Sequence, residues 1–530
     1  MAADLTFGSV PPFYREIYDI VCPNQEQVDR DMFINLLVKS SLPKQTLMQI
    51  WDLVDNKQGY LSRTGLYKAL ALTAMAQQGK AISEKLLETY SDQELPKPQL
   101  GDLTDLKAIG MRVRREKNPN VLGYNYKELC LLDTIKVERV PEKKGIIMKH
   151  VEYEVTSQKF KVTVLRRYND FLALHELLLL RFPYRMIPRL PPKKMMGASR
   201  EFIEHRRKCL RRYLNLVARH PVMGDDKLMR FFLTYNGSEM QHKIKEHFKG
   251  IPDEFMTSEL ASKAKDIVPM DTQMQLAHSK QHIYLLYSSV NKLIDVTERM
   301  VLRSTQEAGD MLHFGKELSA LSSDDTPVSP WATGTNDTWS HLKKGFKHLS
   351  VEFATLADKA TSQASVIQDS VVGQLYMYFD LLSAFKDLCE RHEKGVLQDH
   401  QRAIQKMGQY KKKKMTATVQ GSESEAVEQL EARILEQESQ ISNMENRNYF
   451  SLHCLQMEVQ LIHANMETLF IVIEAMINNE AKGCSEIAAV WEQIKPIVNN
   501  IFPKEHNVNG GVPTSPIGSP NSGRAGITVQ

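Results

Sequence analysis

The sequence predicts a multidomain protein of α and α+β class: a small helical domain, a module combining a small antiparallel sheet with helices, and an elongated three-helix bundle. Three observations carry this reading. At 530 residues the chain is too long for a single core and fits about three domains of roughly 100 to 200 residues each. Between Ile135 and Val164 apolar and polar residues largely alternate with period two, the mark of half-buried strands. Proline is absent from Met270 to Asp325 and again from Trp331 to Lys495, so helix termination is rare over the C-terminal half.

Each part can be justified in order. Residues 1–92 show helical spacing at Phe33, Leu36 and Leu37 and again at Leu47, Ile50, Leu53 and Val54, which predicts a small helical domain. Residues 93–123 mix Pro, Lys, Asp and Arg without a period and read as a linker. The second module, 124–236, is expected to hold strands at Ile135–Val140, Ile146–Val155 and Phe160–Val164, then helices at Phe171–Phe182 and Ser199–His220 separated by Pro188, Pro191 and Pro192. Residues 237–269 form a second linker, in which Phe255 to Val268 is a candidate amphipathic helix with a weak apolar face.

The third part, 270–505, carries sevenfold apolar spacing at Phe346, Leu349, Phe353 and Leu356, at Val371, Leu375, Tyr378, Leu382 and Phe385, and at Leu455, Val459, Ile462, Met466, Leu469, Ile473 and Met476. These are expected packing seams. Breaks at Ser322 to Thr338 and near Gly421 to Glu425 divide the stretch into three helices, the last two each reaching roughly 100 Å at about 1.5 Å per residue. The tail, 506–530, is rich in Gly, Pro and Ser, has too few apolar residues to build a core, and is expected to be disordered.

Composition excludes several classes. A charged fraction of 25% with a net charge of +4 describes an ordinary globular protein, so a basic partner surface must be local and nucleic acid is not an expected partner. No apolar run approaches the roughly 18 residues of a membrane span, and no basic start followed by an apolar core marks a secretory signal, so the expected location is cytoplasmic. The six cysteines, at 22, 130, 209, 389, 454 and 484, form no CxxC pair and suggest neither a disulfide framework nor a metal site. The chain holds no GxxxxGK[ST] loop, no kinase glycine loop and no HExxH, and Glu254 stands where a phospholipase D motif starting at His247 and Lys249 needs Asp. No enzyme and no cofactor are expected.

The segment Arg166-Arg167-Tyr168-Asn169-Asp170-Phe171 joins two guanidiniums and an aromatic ring where the third strand hands over to a helix. Arginine offers a planar fork of donors suited to phosphate, and a tyrosine can stack on a sugar-like ring, although a solvated Arg pair beside a core tyrosine explains the hexapeptide about as well. Two further segments add weight. Ile187-Pro188-Arg189-Leu190-Pro191-Pro192-Lys193 is a stiff loop presenting Lys193, and Phe202-Ile203-Glu204-His205-Arg206 places Arg206 on a helix.

These three motifs, in this order, resemble the PX domain over about residues 124–236. The resemblance implies binding of phosphatidylinositol 3-phosphate, with Arg167 as the 3-phosphate ligand, Tyr168 stacked on the inositol ring, Lys193 at the 1-phosphate and Arg206 at the ring hydroxyls. Lys194, Met195 and Met196 follow in the same loop and are candidates for insertion into the bilayer interface; packing of both methionines inside is nearly as good an explanation.

From periodicity alone, the long helices are a coiled-coil scaffold without lipid dependence. A PX-like module followed by three long helices, however, resembles the PX-BAR sorting nexins. That implies a curved homodimer on the cytosolic face of early endosome membranes, acting in endosomal trafficking and retrieval of cargo, with other sorting nexins as further partners. Basic residues such as Lys343, Lys344, Lys347, Arg391, Lys394, Arg402, Lys406 and Lys411 to Lys414 are candidates for a membrane-facing surface, each contributing about 1 kcal/mol near anionic lipid.

In the first domain, Leu42-Pro43 followed by Leu47, Ile50, Trp51 and Asp52 resembles an EH domain, which implies an Asn-Pro-Phe peptide pocket at Leu37, Leu47 and Trp51. Plain core packing explains Trp51 equally well. The loop Asp55-Asn56-Lys57-Gln58-Gly59 departs from a calcium loop: its glycine comes one residue early, Lys57 replaces an acceptor, and Gly65 stands where a bidentate Glu is needed, so the EH-like domain is degenerate in this respect.

Overall fold

The computed structural model describes residues 10–22, 27–54, 60–90, 93–103, 105–106, 109–110, 118–140, 151–193, 199–327, 337–420 and 424–502. The sequence expectations for the calcium-loop segment 55–59, for Lys194, Met195 and Met196, for the strand start at Ile146 and for the C-terminal tail lie outside these residues. Two compact units are present: Met1–Thr297 with Val371–Glu474, and Glu298–Ser370 with Ala475–Gln530.

The first unit begins with helices α1 (Pro12–Val21), α2 (Arg30–Val38), α3 (Lys44–Val54) and α4 (Arg63–Gln77), and a two-residue antiparallel pair, β1 (Val28–Asp29) with β2 (Tyr60–Leu61), ties the loops preceding α2 and α4. Tyr14, Phe33, Leu36, Ile50, Leu66 and Leu70 fill the core. Ser62 caps α4 by accepting from the Gly65 amide, so Gly65 occupies the first helical turn. The domain does not stop near residue 92. Leu95 and Leu106 are buried in the same core, the Tyr14 hydroxyl donates to the Pro96 carbonyl at 2.6 Å, and the Gln77 side chain bonds both the Ser40 carbonyl and the Gln99 backbone. Part of the expected linker is thus a wall of the helical domain, because its leucines, though aperiodic, bury apolar area.

The second module opens with α5 (Tyr126–Leu132), whose Asn125 and Glu128 form a reciprocal capping box. Strands β3 (Ile135–Arg139), β4 (Glu152–Ser157) and β5 (Val162–Arg167) pair antiparallel in the order β3-β4-β5. The observed β5 begins two residues later than the sequence suggested, because Gln158 to Lys161 make the turn, with Lys161 at φ 53°. Alternation then decides the faces: Val155 and Val164 turn into a core shared with α6 (Tyr168–Arg181), α7 (Arg200–Ala218) and α8 (Lys227–Thr234), where Phe171, Leu214 and Phe232 pack. A further helix, α9 (Met240–His247), adds Met240 and Ile244 to this core.

Long helices follow. The first, α10, spans Thr272–Ser322; the second runs as α11 (Asp337–Ile367), α12 (Gly373–Arg391) and α13 (Gln398–Val419), joined through π-helical segments at Gln368–Val372 and His392–Leu397; the third is α14 (Ser424–Ala464) and α15 (Glu467–Asn499). Three helices and their two breaks were expected. The seam Val371, Leu375, Tyr378, Leu382 and Phe385 is buried throughout, as are Leu455 and Ile462. Ile473 is not: it is 59% exposed, and Val472 is buried in its place. The turn at Asn465 and Met466 between α14 and α15 interrupts the heptad count, so the seam shifts by a residue beyond it.

Within the second unit, Leu318, Leu349, Leu356, Val490 and Ile494 form the core, with Phe353 meeting Phe314 at 4.5 Å and Trp491 at 5.8 Å. Gly345 is required there by packing, since a Cβ would lie 2.6 Å from Ile501 Cγ1.

Candidate functional site

The site is built where β5 becomes α6. Asp170 accepts from the Arg167 amide at 2.7 Å, which starts the helix at Tyr168 and fixes the backbone of both residues. Pleating then separates the two arginines. Arg166 points inward, is 1% exposed, and donates to the carbonyls of Phe232 and Tyr235; burial pushes its pKa down to about 10. The expectation of two guanidiniums side by side is therefore corrected: Arg166 ties the sheet to α8, and only Arg167 faces outward, with a side chain 56% exposed. Arg167 Nε and Nη2 both donate to Glu152 Oε1, at 2.9 and 2.8 Å.

The other two motifs converge on Tyr168. Its hydroxyl donates to the Pro191 carbonyl at 2.5 Å, and the Arg206 guanidinium carbon lies 4.7 Å from its ring centroid and 4.6 Å from that of Phe202. Arg206 also donates to the Pro192 carbonyl at 3.4 Å, which places the following residue, the exposed Lys193, at the rim. The stiff proline segment, the aromatic ring and the helix arginine thus form one wall beside Arg167. Arg206 is only 7% exposed, and its Nε and the Tyr153 hydroxyl are buried without a hydrogen-bond partner among the described residues. Burial pushes the Tyr153 phenol up, with the Arg206 charge opposing it.

Asp170, Glu152 and Phe202 escaped the sequence reading. Asp170 stands three residues after the strand end, a capping position that the pattern alone could have flagged; Glu152 is found only once the β4–β5 register places it directly opposite Arg167.

In the helical domain, Leu37 is 2% exposed and belongs to the core, whereas Leu47 and Trp51 are half-buried. Trp51 packs on Phe33 at 5.2 Å, and the Arg30 guanidinium lies 5.5 Å from its ring. Leu37 is thus not a freely exposed pocket residue; the exposed apolar residues of α2 and α3 are Ile34, Val38, Met48 and Leu53. Among the described residues, no group of three or more His, Cys, Asp or Glu side chains could hold a metal ion.

The sheet module is fastened to the long helices by buried charge. Arg185 donates to Glu254 and to Glu458 of α14, and His220 Nε2 lies 2.9 Å from Glu458, all four residues being at most 7% exposed. Burial alone would raise the Glu458 pKa, but His220 and Arg185 hold it below the usual range. Arg391 donates to the carbonyls of Pro183 and Arg185 in the same contact, so it is not part of an open membrane-facing surface. The stretch expected to be an amphipathic helix is likewise committed. It forms short turns at Glu254–Thr257 and Ala264–Ile267, Phe255 meets Phe450 at 5.6 Å, and Ala264 is fully buried. Its apolar face is weak because those residues are spaced to fill gaps against α14 rather than to line one side of a helix. Several of the expected basic surface residues are paired as well: Lys394 with Glu390, Arg402 with Asp399, Lys411 with Glu438 and Lys414 with Glu431.

Comparison with known families and structures agrees with this architecture. Residues 12–100 match the EH domain, residues 154–236 the PX domain, and residues 250–501 the sorting nexin 8/Mvp1 BAR domain. Sorting nexin-8 of Homo sapiens is 50% identical over 390 residues, covering 74% of this chain and 84% of that protein. Sorting nexin-8 of Mus musculus is 49% identical over 413 residues, 78% of this chain and 90% of that protein. Sorting nexin MVP1 of Kluyveromyces lactis is 26% identical over 356 residues, 64% of this chain and 68% of that protein. Among solved structures, the cryo-EM structure of the SNX-BAR Mvp1 tetramer matches with a TM-score of 0.51 at 24% identity, covering 68% of this chain and all of that one, a likeness of fold. PX and BAR domains are lipid-binding and scaffolding modules rather than catalytic ones. With about half of the aligned residues shared with sorting nexin-8 over most of both lengths, and with the EH, PX and BAR modules in this order, the chain belongs to the sorting nexin family, in its sorting nexin 8/Mvp1 branch.

Proposed function

We propose that this sorting nexin recognises phosphatidylinositol 3-phosphate through Arg167, Tyr168, Lys193 and Arg206 and works as a homodimer that remodels early endosome membranes from their cytosolic face during cargo retrieval. The observation that carries the reading is the convergence of three sequence-distant segments on the Tyr168 ring next to a solvent-facing arginine. In this reading Arg167 binds the 3-phosphate, Tyr168 packs against the inositol ring, Lys193 meets the 1-phosphate and Arg206 the ring hydroxyls. The loop with Lys194, Met195 and Met196, directly after Lys193, is proposed to enter the bilayer interface.

Association of two copies is supported by apolar residues that one chain leaves uncovered. In the first unit, Leu285 of α10 is 64% exposed, and Phe470 and Ile473 of α15 are 65% and 59% exposed. The third long helix, over Val427–Asn499, contains an 18-residue window of mean hydropathy 1.2 of which only 22% is buried. By length and composition it could cross a membrane, but Glu467 and Glu474 interrupt it and heptad spacing suits a partner helix better. The Mvp1 relative is described as a tetramer, so further association, with itself or with other sorting nexins, is part of the proposal. The EH module is proposed to bind Asn-Pro-Phe peptides at Leu47 and Trp51, with Leu37 beneath them.

Sedimentation with liposomes tests the lipid part directly. The full chain should pellet with vesicles containing phosphatidylinositol 3-phosphate and remain largely in solution with vesicles of equal charge lacking it. Equal pelleting in both would favour a scaffold with only general attraction to anionic surfaces.

A further inference from the structure

We propose that Glu152 is an affinity-setting residue of the phosphoinositide pocket, an internal anion that holds the edge of Arg167 needed by the ligand phosphate and must give it up when the ligand binds. The inference rests on the reading of Arg167 as a phosphate ligand and adds to it a residue that opposes binding.

The argument starts from register. Glu152 and Arg167 are directly opposed in the β4–β5 ladder, so their side chains rise from the same face at neighbouring positions. Arg167 has little backbone freedom, because its amide is bonded to Asp170. Nε and Nη2 of its guanidinium, the two parallel donors along one edge, both end on a single oxygen, Glu152 Oε1. That edge is the one with which arginine grips carboxylate or phosphate in a bidentate manner. The pair is open to solvent, with side-chain exposures of 56% and 31%, so a ligand can reach it without unfolding anything.

Two physical consequences follow. A tethered carboxylate competes at an effective concentration in the millimolar range, far above that of a free lipid headgroup. Once displaced, it stays beside the phosphate as a like charge. Both effects weaken binding, and neither requires Glu152 to touch the ligand. Exposed ion pairs of this kind are worth little in stability, so removing the charge should leave the fold unaltered. A modest single-site affinity also makes recruitment depend on two pockets acting together in a dimer.

The test is calorimetric titration of a soluble short-chain phosphatidylinositol 3-phosphate into the full chain, using the parent, Glu152→Gln, Glu152→Ala, Arg167→Gln and the double variant E152Q/R167Q. Glu152→Gln should bind about three- to tenfold more tightly than the parent, with Glu152→Ala moving in the same direction. The gain should vanish in the Arg167→Gln background, since it acts through that guanidinium. Unchanged or weaker binding by both Glu152 variants, with Arg167→Gln still impaired, would overturn the proposal while leaving the pocket in place, and would make Glu152 a support that orients Arg167. If Arg167→Gln bound as the parent does, the pocket assignment itself would fall and this proposal with it.

Discussion

Arg185, in the loop after α6, and Glu458, near the C-terminal end of α14, meet at 3.2 Å in a site where neither is more than 7% exposed, although 273 residues separate them in sequence. Glu254 and His220 complete the cluster, and Met186 donates its amide to the second Glu458 oxygen. A buried network of this kind strongly penalises loss of one member, because the rest stay desolvated without their counter-ion.

Arg185→Met should accordingly destabilise the protein by about 3 to 5 kcal/mol, by stranding two carboxylates. Denaturant unfolding followed by tryptophan fluorescence measures this, and hydrogen exchange should show faster opening of residues 253–267, which share the contact. A loss below about 1 kcal/mol would mean that the sheet module does not depend on this contact.

Stability should also fall with acid in a defined window. His392, bonded to Ser451 and facing Lys280 and Glu393, and His453, bonded to Asn120 and near Arg185 and Glu254, are both lowered to about 4 by burial. The neutral form is thus favoured in the folded state, while the unfolded chain takes up protons near pH 6.5. The contribution is complete above pH 6.5 and is lost as pH falls towards 4, on the order of 3 kcal/mol for each ring. Thermal melts between pH 7 and 4 should show the decline, and His392→Gln should flatten it.

The two adjacent arginines should separate folding from binding. Arg166→Leu removes a guanidinium that bonds three carbonyls from inside the core, leaving those of Phe232 and Tyr235 unpaired, and should cost about 2 to 4 kcal/mol. Arg167→Gln should change stability by less than about 0.5 kcal/mol. Denaturant midpoints of the two variants provide the comparison.

That contrast also shows what the sequence made legible. The hexapeptide marked the point where a strand hands over to a helix, as β5 does to α6, and period-two alternation across β5 would assign opposite faces to Arg166 and Arg167, but it could not say which face was solvent until the helices that cover the sheet were placed. The break at 322–338 was readable because it holds Pro327 and Pro330, which long helices exclude, and the break at 421–425 because Gly421 stands where the apolar period lapses. The Ile473 position was misread because a single turn at Asn465 and Met466 changes the helical phase without any Gly or Pro to announce it. The committed linker at 253–267 was hidden for a related reason: its residues pack against α14 one by one, without periodicity. Glu152 and Glu458 were invisible, since their partners are set by strand register and by contacts between distant segments.

Association of two copies should depend on the uncovered apolar residues. The pair Phe470→Glu and Ile473→Glu costs a single chain little, as both side chains are already mostly in water. Each charge would be buried without a partner in a dimer, a penalty of several kcal/mol. Light scattering at micromolar concentration should give at least a dimer mass for the parent and a monomer mass for the double variant; a parent that is already monomeric would refute the dimer.

Liposome binding by folded Arg167→Gln protein tests the central claim most directly. Charge-assisted hydrogen bonds from arginine to phosphate are worth about 1.5 to 3 kcal/mol each, which is roughly tenfold or more in affinity per bond. With circular dichroism and melting temperature matching the parent, the variant should lose at least about tenfold in binding to vesicles containing phosphatidylinositol 3-phosphate, and its residual binding should equal that to vesicles without the lipid. Parent-like binding by the folded variant would contradict the assignment of this pocket as the site of lipid recognition.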